Sequence, residues 1–302
     1  MPSLQRPAVQ SAAFLPFLFS AGRVSLLQAV ALAFPLAMDF ANRGPLLLPV
    51  FLTCLVVALA WESLFAFLRH ADMSLHGLTT AMLVTLFVPL GVETWQLVVA
   101  VSLGVVLGEL VFGGRGFGFV NPAAATLALL VFSFPQLALQ SIDVTIALAS
   151  IPSAVLLLLA GLISWRVLVA TLVMAAAAMA LLGEYGSTQT LAIALSVGLV
   201  FLIADPLSAA CTNPGRWAYG ALAGFLIAVF SGFATANLTA EAIVFAALLA
   251  SIFAPLLDHL AVLANAYVRE NRREAHWKKR FGEKRTVEKR TLEKHGAERH
   301  DA

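Results

Sequence analysis

The chain has 302 residues, of which 60% are hydrophobic and 12% are charged, and its formal net charge is +2. A water-soluble domain is usually about 45–50% apolar and about 25% charged, so this composition excludes an ordinary soluble fold. Apolar sequence runs almost unbroken from Val24 to Tyr267. We therefore expect an all-α, polytopic integral membrane protein, with the lipid bilayer as its surroundings and no nucleic-acid partner.

Roughly 20 mostly apolar residues are needed for a membrane-spanning helix, since lipid offers the backbone no hydrogen-bond partners. Clusters of Gly, Pro and charge divide the apolar run into about ten candidate helices: 24–41, 46–68, 75–91, 94–113, 121–135, 144–163, 166–183, 187–204, 216–233 and 240–267. Several are short or interrupted, notably 75–91 and 121–135. Such broken helices often line a site buried in protein, although ordinary short, tilted helices would give the same spacing.

The charges predict the orientation, because Lys and Arg collect in cytoplasmic loops. With the N-terminus inside, the cytoplasmic positions carry Arg6, Arg23, Arg69, Arg115, Arg166, Arg216 and the basic tail. The outer loops then carry four acidic residues and a single basic one: Glu93, Asp143, Glu184, Glu241 and Arg43. This alternation favours a bacterial inner-membrane protein with both termini in the cytoplasm.

Three regions follow: a cytoplasmic N-terminal segment (1–23), a ten-helix membrane domain (24–267) and a charged cytoplasmic tail (268–302). Residues 269–302 hold 12 of the 19 basic and seven of the 17 acidic residues. We expect this tail to be solvated and partly helical. Adsorption to the anionic cytoplasmic leaflet is an alternative role for it.

Ionisable residues in apolar segments are costly and therefore indicate function, typically an ion or proton path. Glu62 and Glu109 lie deepest within predicted spans, and we assign them to such a path. Asp39 also lies in a span, but its neighbours Asn42 and Arg43 suit a membrane interface. Asp205 and Asp258 lie at or near span ends.

Two loops end in an Asn-Pro step that begins a helix, Asn121-Pro122 and Asn213-Pro214. Asn is a good N-cap and Pro suits the first helical position. Each step therefore aims free backbone N–H groups into its loop, where they can hold an anion. In the predicted topology both loops lie on the cytoplasmic side.

The residues from Asp205 to Gly220 (DPLSAACTNPGRWAYG) resemble the signature of the NqrB/RnfD family. So do Phe112-Gly113-Gly114 with Asn121-Pro122-Ala123, and the late Phe253–Asp258 (FAPLLD). These family members are membrane subunits of sodium-translocating NADH:quinone reductase and of the Rnf electron-transport complex. The resemblance implies a ten-helix flavoprotein that carries FMN esterified to a threonine, together with non-covalent riboflavin.

The same resemblance implies which residues bind the cofactors. The attachment threonine lies just before the sixth helix, and Thr145 in Ser141–Ile146 (SIDVTI) is the corresponding position, with Asp143 beside it. The small Gly, Ala or Glu residues that surround the family's threonine are absent here, which leaves three alternatives: covalent FMN at Thr145, non-covalent flavin alone, or a relative that has lost redox function. A cytoplasmic-side flavin or ion pocket is expected from Asn121, Asp205, Ser208, Thr212 and Asn213.

The sequence thus predicts a membrane subunit of an RnfD/NqrB-type complex, in which flavin-dependent electron transfer is coupled to sodium or proton translocation. Its partners would be other membrane and flavoprotein subunits. A ten-helix bundle with interrupted helices also suits a non-redox transporter or channel for small solutes. A third alternative is a structural scaffold for other membrane subunits, which would neither bind flavin nor transport a solute.

Overall fold

The computed structural model describes residues 21–70, 73–182, 195–232 and 239–298. Throughout these ranges the regular secondary structure is helical, with no β-strand, so the predicted all-α fold is confirmed. Nine α-helices occur in them: α1 (Ala21–Arg43), α2 (Leu47–Arg69), α3 (His76–Phe87), α4 (Thr94–Val105), α5 (Pro122–Ser133), α6 (Val144–Leu159), α7 (Trp165–Leu182), α8 (Asn213–Gly232) and α9 (Thr239–Glu298).

The helices begin within about three residues of their predicted starts. Residues 195–203 form a further helical stretch, and the rest of the predicted segment 187–204 lies mostly outside the described residues. A total of ten membrane helices therefore stays a prediction. Two described stretches, Gly22–Arg69 and Ala240–Arg273, are long and apolar enough to cross a membrane by length and composition.

Helices α3 and α5 are half-helices. Each has 12 residues, or about 18 Å of helix, whereas the hydrocarbon core of a bilayer is about 30 Å thick. Every residue of α3 except Leu78 is buried, as are the first seven residues of α5. Irregular backbone at membrane depth is tolerated where protein surrounds it. Burial of both half-helices thus favours interrupted helices over short, tilted packing.

Two π-helical turns precede the loops that lead to the Asn-Pro steps. Val106–Leu110 extends α4, and Leu199–Ile203 extends the helical residues 195–198. The wider i to i+5 hydrogen bonds are those from Val111 N to Val106 O and from Ala204 N to Leu199 O, both 2.9 Å. Such turns often mark functional sites because they redirect side chains.

Close helix contacts depend on glycine. A Cβ atom at Gly220 of α8 would lie 2.7 Å from Ala170 Cβ on α7, and one at Gly224 would lie 2.8 Å from Ala175 N. The four-residue spacing of Gly220 and Gly224 places both glycines on one face, which lets the backbones of α7 and α8 approach closely. Of the described residues, those up to Leu257 form one compact unit, and those from Asp258 onward form a second.

Candidate functional site

The start of half-helix α3 is closed by a carboxylate from another helix. Gly77 N donates to Glu62 Oε2 at 2.9 Å, and Ser74 Oγ donates to Glu62 Oε1 at 2.7 Å. Glu62 itself is buried near the end of α2. Because helix N-termini carry unpaired N–H groups and partial positive charge, this carboxylate stabilises the beginning of α3. A Cβ at Gly77 would lie only 3.0 Å from Glu62 Oε2, which explains the glycine.

A second buried carboxylate reaches the same turn of α3. Glu109 lies in the first π-helical turn, and its Oε2 is 3.4 Å from His76 Nε2. On the other side of the ring, Thr79 Oγ1 lies 2.5 Å from His76 Nδ1. The structure therefore brings together Glu62 and Glu109, the two residues that the sequence assigns to an ion path.

Asn121 caps half-helix α5, as the Asn-Pro step predicts. Its Oδ1 accepts from Ala123 N at 2.9 Å and from Ala124 N at 3.3 Å. Its Nδ2 donates to Phe201 O at 3.2 Å, and Phe201 lies in the second π-helical turn. One buried amide thus connects the start of α5 to the chain just before Asp205.

Asp205 is the centre of a buried polar network. Gln28 Nε2 on α1 donates to Asp205 Oδ1 at 3.0 Å. Ser208 donates to Asp205 Oδ2 from its backbone N at 3.2 Å and from its Oγ at 3.0 Å. Gln28 Oε1 accepts from Arg115 Nη2. The network therefore extends from Ser208 through Asp205 and Gln28 to a buried arginine.

Arg115 lies in the glycine-rich loop between the first π-helical turn and α5, and it is only 8% exposed. Its Nε and Nη1 atoms are buried and have no hydrogen-bond partner among the described residues. Burial lowers the pKa of its guanidinium, whereas the negative charges of Asp205 and Glu62 raise it. Arg115 therefore lies within the electrostatic reach of both carboxylates.

Two cavities adjoin these residues. The smaller one is lined by Gln28, Leu32, His76, Thr79, Thr80, Leu83, Asn121, Ala123, Phe201 and Asp205. The open space at its centre is about the size of one water molecule or bare cation. The other, of about 610 Å³, is lined by Glu62, Phe65, Ala66, Arg69, Ser74, Glu109, Leu110, Gly113, Gly114, Arg115 and Phe117. The His76–Glu109 pair joins the walls of the two cavities.

The predicted flavin-attachment residues lie elsewhere. Thr145 and Asp143 are exposed at the beginning of α6, where Asn42 Nδ2 donates to Thr145 Oγ1 at 2.8 Å. Gln28 and Asn42 belong to the same helix, α1, and their separation in sequence corresponds to about 21 Å along its axis. The predicted cofactor-binding residues therefore form two separate groups rather than one site.

Thr212 and Asn213 belong to the beginning of α8. Thr212 Oγ1 accepts from Gly215 N at 3.1 Å, so Thr212 caps this helix. The expectation that Asn213 is the cap is wrong, because Asn213 is already the first residue of α8. Asn213 Oδ1 accepts from Arg166 Nη1 at 3.1 Å in an exposed position. Of the predicted pocket residues, Asn121, Asp205 and Ser208 meet in the interior.

Sequence reasoning missed Gln28 and His76. Gln28 is a neutral polar residue inside an apolar span, and the cost of burying an amide was the available signal. His76 follows the break before α3, where a polar ring can reach a neighbouring carboxylate.

Asp39 forms an ion pair with Arg43 one helical turn away. In the described residues, no group of three or more His, Cys, Asp or Glu side chains could hold a metal ion.

Comparison with known proteins identifies the family. The sequence matches the NQR2, RnfD, RnfE family over residues 8–143 and 136–266. It is similar to a Na(+)-translocating NADH-quinone reductase subunit of Pseudomonas paraeruginosa, with 30% identity over 273 residues that cover 72% of this chain and 67% of the relative. The corresponding protein from Chromohalobacter salexigens is 28% identical over 292 residues, which cover 79% of this chain and 71% of the relative. The chain therefore belongs to the NQR2, RnfD, RnfE family.

Proposed function

We propose that this chain is the membrane subunit of an electron-transport complex of the RnfD/NqrB type. In this proposal it passes electrons through bound flavin and couples their transfer to the movement of sodium ions or protons. The observation that carries the proposal is the buried cluster of Glu62, Glu109 and Asp205 around the starts of two half-helices, in a chain of this family. Similarity to proteins named as subunits of Na(+)-translocating NADH-quinone reductase supports it.

The proposed ion path follows the acidic cluster. The larger cavity gives access to Glu62 and Glu109, and the His76–Glu109 pair connects it to the smaller cavity beside Asp205. Burying a carboxylate at membrane depth is energetically costly, so such residues usually mark an ion or proton path. The narrowness of the smaller cavity favours a bare ion or a proton over a larger solute.

We place the flavin at two positions. Thr145 is a suitable attachment residue for FMN, because its side chain is exposed and the adjacent N-terminus of α6 favours a phosphate group. The second position, for non-covalent riboflavin, is the loop from Asp205 to Asn213. When bound, flavin supplies the redox centre. The residues of this chain hold the cofactor, orient it and exclude water from the interior.

We further propose a bacterial inner-membrane location with both termini in the cytoplasm, and the three regions 1–23, 24–267 and 268–302. The partners are other membrane and flavoprotein subunits of the complex. Contacts between loops that are assigned to the cytoplasm support this orientation. Arg69 and Arg115 line one cavity, and Arg166 contacts Asn213, the first residue of α8. The family match ends at residue 266, next to the proposed beginning of the tail.

The test is the visible absorption spectrum of the detergent-purified chain before and after acid precipitation, with the denatured polypeptide examined for flavin fluorescence. We expect a yellow protein whose covalent fluorescence is lost in Thr145→Ala and retained in Thr145→Ser, which keeps the hydroxyl. The matched control is Thr53→Ala, which removes a half-buried threonine whose hydroxyl donates to Pro49 O within α2. Flavin that acid releases completely would restrict the proposal to a non-covalent carrier.

A colourless protein would contradict the redox proposal. The buried half-helices and polar cavity would then favour the alternative, a non-redox transporter or channel for small solutes. Reconstitution in liposomes separates these outcomes, because a transporter moves a solute without any flavin. A protein with neither flavin nor flux would be a scaffold.

A further inference from the structure

The most unusual buried group is the guanidinium of Arg115. Gly113, Gly114 and Gly116 beside it have φ values of +125°, +94° and +94°, a backbone conformation that favours glycine. These glycines allow the loop to turn so that Arg115 lies inside the protein. Burial of a cation is costly unless negative charge compensates it, so a buried arginine indicates nearby carboxylates.

The compensation of Arg115 is indirect. Among the described residues, no carboxylate oxygen lies within 4.0 Å of its nitrogen atoms. Its charge reaches Asp205 through Gln28, which accepts from Arg115 and donates to Asp205. Its Nε and Nη1 remain unpartnered, and Arg115 shares the wall of the larger cavity with Glu62 and Glu109. One fixed cation thus shares a cavity with two buried carboxyl groups and is linked to a third, Asp205, through Gln28.

We propose that Arg115 is a tethered counter-cation for the acidic cluster. It supplies from within the chain the positive charge that a bound sodium ion would otherwise give to Glu62 and Glu109, which line the same cavity. The resting cluster consequently binds no sodium, and a sodium ion reaches it only when Arg115 moves aside. This inference rests on the ion path of the proposed function and assigns a charge-balancing role within it.

The proposal is tested by the sodium dependence of thermal unfolding. Purified wild-type protein and Arg115→Gln are melted in sodium chloride and in choline chloride of equal ionic strength. We expect equal melting temperatures for the wild type in the two salts. For Arg115→Gln we expect a melting temperature higher in sodium by about 5 °C, because sodium then binds the folded protein at the uncompensated carboxylates.

Two variants make the result specific. Arg69→Gln removes an exposed arginine from the wall of the same cavity, and it should remain as insensitive to sodium as the wild type. The double variant Arg115→Gln/Glu109→Gln removes the arginine together with one of the two carboxyl groups in its cavity. It should fold even where Arg115→Gln alone does not, and it should again be insensitive to sodium.

Three outcomes would overturn the proposal: a sodium response in the wild type, no response in Arg115→Gln, or a response in the double variant. The flavin spectrum separates this inference from the proposed function. A colourless wild type with a sodium-responsive Arg115→Gln would refute the redox role and support the counter-cation. A yellow wild type with an Arg115→Gln variant that does not respond to sodium would support the redox role and refute the counter-cation.

Discussion

Arg43 and Asp39, one turn apart on α1, form an ion pair whose cation also closes the far end of half-helix α3. Arg43 Nη1 donates to Val88 O at 2.7 Å, and its Nη2 donates to Thr85 O at 2.9 Å and Leu86 O at 3.4 Å. A positive charge stabilises a helix C-terminus, just as Glu62 stabilises the beginning of α3. Both ends of this half-helix are therefore held by charges from neighbouring helices.

Arg43→Ala should lower the free energy of unfolding by about 3 kcal/mol, because it leaves Asp39 buried without its cation and frees the last carbonyl groups of α3. Thermal unfolding in detergent, followed by tryptophan fluorescence, measures the effect. Arg69→Ala is the control, since that arginine is exposed and stacks on Phe65. Equal melting temperatures for the two variants would show that Arg43 does not stabilise α3.

Asp205→Ala should reduce bound flavin and lower the free energy of unfolding by about 3 kcal/mol. The substitution leaves the buried donors of Gln28 and Ser208 without their acceptor. Asn213→Ala should reduce bound flavin as well, because it changes the other end of the same loop. The ratio of flavin to protein absorbance measures the flavin content of both variants, and thermal unfolding measures the stability of Asp205→Ala. The control is Asn265→Ala, which changes an exposed residue. Full flavin content in both variants would exclude this loop as the flavin pocket.

Gly220→Ala should separate α7 from α8 and cost about 2 kcal/mol, since the added methyl group would overlap Ala170 Cβ and Val167 O, each 2.7 Å away. The measurement is again the melting temperature. Gly91→Ala provides the matched control because nothing lies within 4 Å of its added Cβ. A melting temperature unchanged by Gly220→Ala would mean that the two helices repack without loss.

A chain that ends after Tyr267 should retain its flavin spectrum and its melting temperature. The reason is that the described residues of the acidic cluster and of both proposed flavin positions lie in the compact unit that ends at Leu257. Purification of both chains from membranes and comparison of their spectra provides the measurement. Loss of flavin from the shortened chain would assign the tail a part in cofactor binding.

Most helix boundaries and the cap at Asn121 could be predicted, because glycine, proline and charge act locally on the backbone. The sequence also indicated that 75–91 and 121–135 are short or interrupted, although α3 and α5 are shorter still, at 12 residues each. The link from Gln28 to Asp205 could not be predicted, since it joins residues 177 positions apart through packing of several helices. The π-helical turns could not be predicted either, because widening one helical turn by a single residue leaves the spacing of apolar residues almost unchanged.

The separation of Thr145 from Asp205 has the same origin. A sequence motif identifies individual functional residues. The distance between two such residues depends on how the helices that carry them pack together. Asp39 and Glu62 are both acidic residues within predicted spans. Only the structure distinguishes the carboxylate paired with Arg43 from the one that closes the start of α3.

The positions of the residues that hold α3 also bear on biogenesis. Arg43 and Glu62 precede α3 in the chain, so the ribosome has already delivered both charged partners when this half-helix emerges. A segment too short to cross the bilayer alone can therefore settle against its neighbours during translation. The bond between Gln28 and Asp205 closes only after most of the polypeptide has been made. Completion of the acidic cluster is thus a late step in membrane insertion. The part that contains Gln28 is synthesised well before the part that contains Asp205.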